Sequence, residues 1–140
     1  MAAAENPQLI KNAYAAFQRG DITAILNSCD ENVEWLGVTG TGGVLPLAGI
    51  RRGRVAVAQV FKHVAETTGF TAFQPQEFVA QRDTVVAVGN YTARMRSSGQ
   101  WMSSTWVMLF TVRNGKVVRF REYSDSAQIV RAHRSVAISA

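Results

Sequence analysis

Apolar residues recur with a helical rhythm in the first half of this chain and alternate in the second, and the change falls near residue 70. Asn6 and Pro7 read as an N-cap and a first helical position. Ile10, Ala13, Tyr14 and Phe17 then follow helical spacing and make one apolar face. Gly20 suits a left-handed C-terminal cap, and Asp21 can cap a second short helix that presents Ile22, Ile25 and Leu26. "NVEW" (32–35) reads as a short strand. Residues 36–53 follow, with five glycines and a proline before Gly53, a long loop of the kind that is often functional. A third helix is predicted from Gly53 to Gly69, with Val57, Val60, Phe61 and Val64 on one face.

Beyond residue 70 the period is two. "FTAFQPQEFVAQ" is a strand that Pro75 pushes toward an edge or a bulge. Residues 84–96 and 101–112 are two more strands, separated by the turn residues of "RSSGQ". "RNGK" (113–116) holds Asn-Gly, a strong hairpin signal, before the last strand "VVRFREYS". Asp125 and Gln128 stand at the N-cap and capping-box positions of a closing helix. Segregated helices and an antiparallel meander predict a single α+β domain over residues 1–140. Its curled antiparallel sheet wraps around three N-terminal helices to form a cone with a pocket inside.

The alternation assigns faces. Met102, Ser104, Trp106, Met108, Phe110 and Val112 form the richer apolar face of their strand and are predicted to point inward. Val85, Ala87, Gly89, Tyr91, Ala93 and Met95 do the same on the strand before. The opposite face, Trp101 to Thr111, is still apolar, which implies a homodimer packed through the outer sheet face. On the last strand Val118, Phe120, Glu122 and Ser124 share the inner face. Val117, Arg119, Arg121 and Tyr123 share the outer one. A carboxylate among Phe, Trp and Met side chains must find a partner or its pKa rises, and a raised pKa suits a general acid or base. The alternative is a structural Glu122 that anchors the sheet.

Composition narrows the function. The net charge is +5, with basic groups in "RRGR" (51–54) and along the last strand. No nucleic-acid motif accompanies them, so the charge reads as a solvated surface. No apolar run is long enough to span a bilayer, and "MAAAENPQ" has no signal-peptide pattern. Cys29 is alone, which fits a reducing, cytoplasmic compartment and excludes a cysteine-based zinc cluster. No metal site or cofactor is implied. His63 falls off the apolar stripe of the third helix and reads as a solvated-face or rim residue. His133 reads as exposed, and Asp30 and Glu31 as turn residues. "GTGG" lacks the lysine of a phosphate loop and reads as a flexible lip of the loop 37–50.

The segments "AYAAFQRGDITAIL", "NVEW", "GRVAVAQVFKHV" and "LFTVRNGKVVRFREYSDSAQIV" together resemble the nuclear-transport-factor-2-like superfamily, in its SnoaL-like or ketosteroid-isomerase-related branch. The resemblance implies a cone-shaped, usually dimeric α+β fold that hosts cyclases, isomerases, hydrolases and non-catalytic binders. The isomerase positions fall on Ala13, near Gly37 and near Met108, none of which carries the required tyrosine or acid. "FREY" matches the stretch in limonene-epoxide-hydrolase-like enzymes whose acid falls on Glu122. The expectation is a small-molecule enzyme acting on a hydrophobic substrate, with Glu122 as acid or base. Tyr14, Trp35, Phe61, Tyr91, Trp106, Met108 and Phe120 would shape its pocket. The other expectation is a ligand-binding or dimerisation module of the same fold.

Overall fold

In the computed structural model, residues 5–41 and 45–139 are described, with side chains described through Arg134. The order is α1 (Asn6–Gln18), α2 (Ile22–Asn27), β1 (Cys29–Leu36), β2 (Ile50–Arg52) and α3 (Arg54–Thr67). Then come β3 (Thr68–Gln81), β4 (Thr84–Met95), β5 (Trp101–Arg113), β6 (Lys116–Tyr123) and α4 (Ser126–Ser139). The strands form one curled, unclosed six-stranded sheet in the order β2-β1-β6-β5-β4-β3. The predicted α+β class is therefore correct, but the sheet is not wholly antiparallel: β1 runs parallel to β6. The whole meander lies between them in sequence, so the chain has ample length for a parallel return.

Local chemistry explains the element ends. Gly20 takes φ +75°, and the Asp21 carboxylate accepts the Ala24 N–H at 3.1 Å, as predicted for the α1–α2 junction. Asn114 and Gly115 both take positive φ in the β5–β6 turn, the requirement of a tight hairpin. Glu5, not Asn6, precedes α1, and Asn6 is buried, with its amide donating to the Arg82 carbonyl in the β3–β4 turn. The third helix stops at Thr67, short of Gly69, because Thr68 is already extended and pairs with Met95. The Arg96 side chain satisfies the Ala65 and Thr68 carbonyls there. Pro75 sits on edge strand β3 beside a register shift, so it is tolerated on both of the grounds expected.

Two expectations about the strands need correcting. β2 falls inside the segment read as loop, where three residues were too short and too charged to show a period. Asp30 and Glu31 belong to β1, which carries a register shift between Cys29 and Glu34.

The inner faces of β4 and β5 are as the alternation predicts, buried at every second residue from Val85 to Met95 and from Trp106 to Val112. β6 departs from it. Its register with β5 shifts between Thr111 and Val112, and Val117 is turned into the core instead of outward. Beyond that bulge Phe120 and Glu122 face inward as expected. The outward arginines find work in part. Arg52 and Arg119, on the strands flanking β1, both pair with Glu34.

α1 is fixed to the sheet by an aromatic stack. Tyr14 lies 5.4 Å from the Trp106 ring at 25°, and Trp106 lies 5.1 Å from Phe73 at 15°. Trp106 has no accessible surface and rests over Gly89, its cross-strand partner. A Cβ at Gly89 would overlap the Trp106 ring and the Gln74 carbonyl, which explains the glycine in mid-strand. Gly89→Ala is therefore expected to lower stability by about 1–3 kcal/mol through overpacking, measured by urea denaturation. Substituting Gly37, whose Cβ direction is open, serves as the control.

Candidate functional site

A partly open cavity of about 250 Å³ lies between the inner face of the sheet and the helices. α1 supplies Ala13, Tyr14 and Phe17, and α3 supplies Val60, Phe61, Val64 and Thr67. Trp35, Tyr91, Met108 and Phe120 come from four neighbouring strands, and Val38, Leu45 and Leu47 from the loop after β1. Of the "GTGG" lip, Gly40 and Thr41 are described and Thr41 is buried, while Gly42 and Gly43 lie outside the described residues.

The predicted lining residues Tyr14, Trp35, Phe61, Tyr91, Met108 and Phe120 all face this space. Trp106 does not. Its ring is sealed behind Tyr14 and Phe73, because the absence of a side chain at Gly89 lets it sink into the wall. His63, read as a solvated-face or rim residue, and His133, read as exposed, both line the cavity. His63 lies three residues after Val60 and four before Thr67, so it shares their side of α3 and lines the cavity. His133 lies one turn after Ile129 on α4, and both reach the cavity. That spacing was visible in the sequence; what was missing was the docking of α4. His133 Nδ1 lies 2.8 Å from the Ile129 carbonyl. A carbonyl only accepts, so Nδ1 is the donor in this contact.

Docking of α4 depends on Asp125 and Gln128. The Asp125 carboxylate accepts the Gln128 N–H at 3.2 Å, the predicted cap. Its carboxyl is held below the usual range first by the Gln128 side-chain amide and then by that backbone N–H. The Gln128 amide does not close a capping box onto the Asp125 N–H, which donates to Ser104 Oγ instead. It bonds both the N–H and the C=O of Ser103, at 3.0 and 2.7 Å. β6 ends opposite Val107, so a side-chain amide takes the place of a strand along this part of β5.

Among the described residues, Glu122 is the one carboxylate lining the cavity. It is surrounded by protein yet keeps part of its surface open to the cavity. Its cross-strand neighbour is Met108. Among the described residues no cation pairs with it, and the Ser124 hydroxyl donates to Oε2 at 3.0 Å. Burial pushes its pKa up, and the Ser124 hydrogen bond opposes that only in part. Tyr14 and Tyr91 are within electrostatic reach of it. Burial first, and then the charge of Glu122, raise the Tyr14 phenol well above its ordinary range and Tyr91 to about 12. The Tyr14 hydroxyl donates to Met108 Sδ at 2.9 Å, a weak acceptor that a ligand oxygen can replace.

At the opposite rim, Arg51 Nε and His63 Nε2 are closed to water and have no hydrogen-bond partner. A buried donor left in this way costs about 1–3 kcal/mol. Cys29 lies in the wall with its thiol pushed up to about 11 by burial, which makes it inert. Among the described residues no group of three or more His, Cys, Asp or Glu could hold a metal, and no helix is long and apolar enough to cross a membrane.

The raised Glu122 pKa fixes a sign for pH dependence. Below the ordinary value of 4.5 the carboxyl is protonated folded or unfolded, and its contribution to stability is fully present. As pH rises through the raised value, the unfolded chain gives up the proton more easily, so stability falls. Glu122→Gln is expected to remove this decline, seen as a flatter profile of urea midpoint against pH.

A family model described as a SnoaL-like domain matches residues 10–120. Among solved structures, an NTF2-like protein from Burkholderia xenovorans LB400 is 37% identical, with a TM-score of 0.83, covering 95% of this chain and 98% of that one. TerC, co-crystallised with polyporic acid, is 27% identical, with a TM-score of 0.80 and coverage of 93% and 98%. Bal32a, from a soil-derived mobile gene cassette, is 25% identical, with a TM-score of 0.77 and coverage of 94% and 98%. No curated protein matches the sequence.

Proposed function

The chain belongs to the SnoaL-like domain family, and on that premise we propose that it is a single-domain acid–base enzyme for a small hydrophobic, carbonyl-bearing molecule. The observation that carries this is Glu122, a carboxyl with a raised pKa and no ion-pair partner among the described residues, facing an apolar cavity. A carboxyl in that setting holds its proton nearer neutral pH and exchanges it with a substrate at little cost. Tyr14 donates a hydrogen bond to the carbonyl oxygen, giving up its contact with Met108. Glu122 takes a proton from the adjacent carbon and returns it elsewhere. Trp35, Phe61, Tyr91 and Phe120 shape the apolar bed. The chemistry needs no cofactor. Cavity size supports a one- or two-ring substrate, since a void of about 150 Å³ already admits benzene. The co-crystallisation of TerC with polyporic acid supports a small organic ligand.

A direct assay is exchange of the α-protons of 2-tetralone in D₂O, followed by NMR. The protein is expected to accelerate exchange, with a rate that rises with pH through the raised Glu122 pKa. Glu122→Gln should lower the rate about 100-fold or more while leaving binding, read by tryptophan quenching, intact. A lone carboxylate also suits a non-catalytic binding module; in that case the ligand binds and exchange is no faster than in buffer.

A second copy of the chain is proposed to cover the outer sheet face. Val79, Val86 and Leu109 lie in one row across β3, β4 and β5, and Val88, Val107 and Tyr123 lie in the next across β4, β5 and β6. Val79 and Tyr123 are exposed, so the patch is continuous and uncovered in the single chain. Leu109→Arg is expected to convert a dimer to a monomer in size-exclusion chromatography with light scattering. A reducing cytoplasmic setting fits the unpaired Cys29.

A further inference from the structure

The four basic residues around the β2–α3 junction are not one patch. Arg52 faces out and pairs with Glu34. The Arg54 guanidinium bonds the Cys29 carbonyl at 2.7 and 3.0 Å. Arg51 faces the other way, because it stands opposite Trp35, whose ring lies in the cavity wall. It is the one guanidinium or ammonium group among the described residues that line the cavity, and no carboxylate among the described residues pairs with it. One of its Nη atoms donates to Gln59 Oε1 at 3.1 Å near the surface. Its Nε has no partner among the described residues, and neither has Nε2 of His63, one helical turn beyond Gln59. Arg51 and His63 thus both line the apolar cavity with hydrogen-bonding capacity unspent.

Their position relative to Glu122 follows from the ladder. Trp35 stands opposite Arg51 on one side and Phe120 on the other, and Glu122 is the next inward residue after Phe120. Two strand spacings across and two residues along put the Arg51 and Glu122 backbones roughly 12 Å apart. The edge-on pair of Trp35 and Phe120 rings, with centroids 3.9 Å apart, lies between them.

We propose that Arg51, with His63 lining the same cavity, is the anchor for an anionic oxygen group on the substrate. The substrate class is then an organic anion: a carboxylate, or an ionised hydroxyl conjugated to a carbonyl, on an apolar body of one or two rings. The head group stays beside the guanidinium, on the β2 side of the cavity. The rings lie over Trp35 and Phe120, and the reacting end meets Glu122 and Tyr14. The guanidinium suits this task because its planar fork binds two oxygens at once and keeps its charge at any working pH. This inference rests on the reading of the cavity as a small-molecule site.

The test compares 2-naphthoate with 2-naphthamide, equal in shape and different in charge, by quenching of tryptophan fluorescence at neutral pH. The full chain is expected to bind the anion at least about tenfold more tightly, the share of one charge-assisted hydrogen bond. Arg51→Met should abolish that preference while leaving naphthamide affinity within about twofold, so the amide also reports that the variant is folded. Arg51→Lys, which keeps the charge and loses the fork, should retain part of the preference. Arg52→Gln, on the outer face, should change neither ligand. Equal binding of the two probes by the unaltered protein, or a preference that survives Arg51→Met, overturns the anchor and leaves the cavity reading standing. Failure of both probes to bind overturns the cavity reading and the anchor with it.

Discussion

The stack of Tyr14, Trp106 and Phe73 is the interaction on which the remaining geometry depends. It presses the first helix onto the middle of the sheet through rings 5.1 to 5.4 Å apart. Gly89 gives the indole room, and Tyr14 in turn closes the wall in front of it. The phenol hydroxyl is thereby delivered to the sulfur of Met108, and Met108 is the cross-strand partner of Glu122. A helix-to-sheet packing contact and the polar end of the cavity are thus one arrangement.

The curvature of the sheet has a second effect. A sheet that curls without closing cannot fill its own interior, and the helices cover only part of what remains. The apolar lining is therefore dictated by the fold, while the few polar groups in it are independent of it. Glu122, Arg51 and the two histidines each line the cavity without an ion pair among the described residues. A charged group held in an apolar wall without an ion pair costs desolvation that the packing around it does not repay.

Much of this was legible in the sequence, because alternation is a strict rule within a regular strand. β4 and β5 obey it throughout, so their inward residues could be read directly. The reading failed where regularity failed. A register shift opposite Val112 turned Val117 inward. Three charged or branched residues in β2 were too few to reveal a period, which hid the inward turn of Arg51. Trp106 was counted as a lining residue since its strand position faces in, but depth below the surface depends on the neighbouring Gly89, which no single-strand pattern conveys. His63 and His133 sit at helical spacing from cavity residues. An apolar-stripe criterion passes over polar members of the same face, and for His133 the docking of α4 is a tertiary fact.

That docking carries a broader implication. Along the half of β5 that β6 does not reach, the ladder is finished by one glutamine side chain, so the sheet does not need the tail helix for its backbone pairing elsewhere. The segment after Tyr123 is otherwise joined to the body by the Asp125 N–H on Ser104 Oγ and by Ile129 and Ala132 against the core. Sequence drift there can redecorate one wall of the cavity while the sheet register stays untouched, which makes the tail the inexpensive route by which this scaffold changes what it holds.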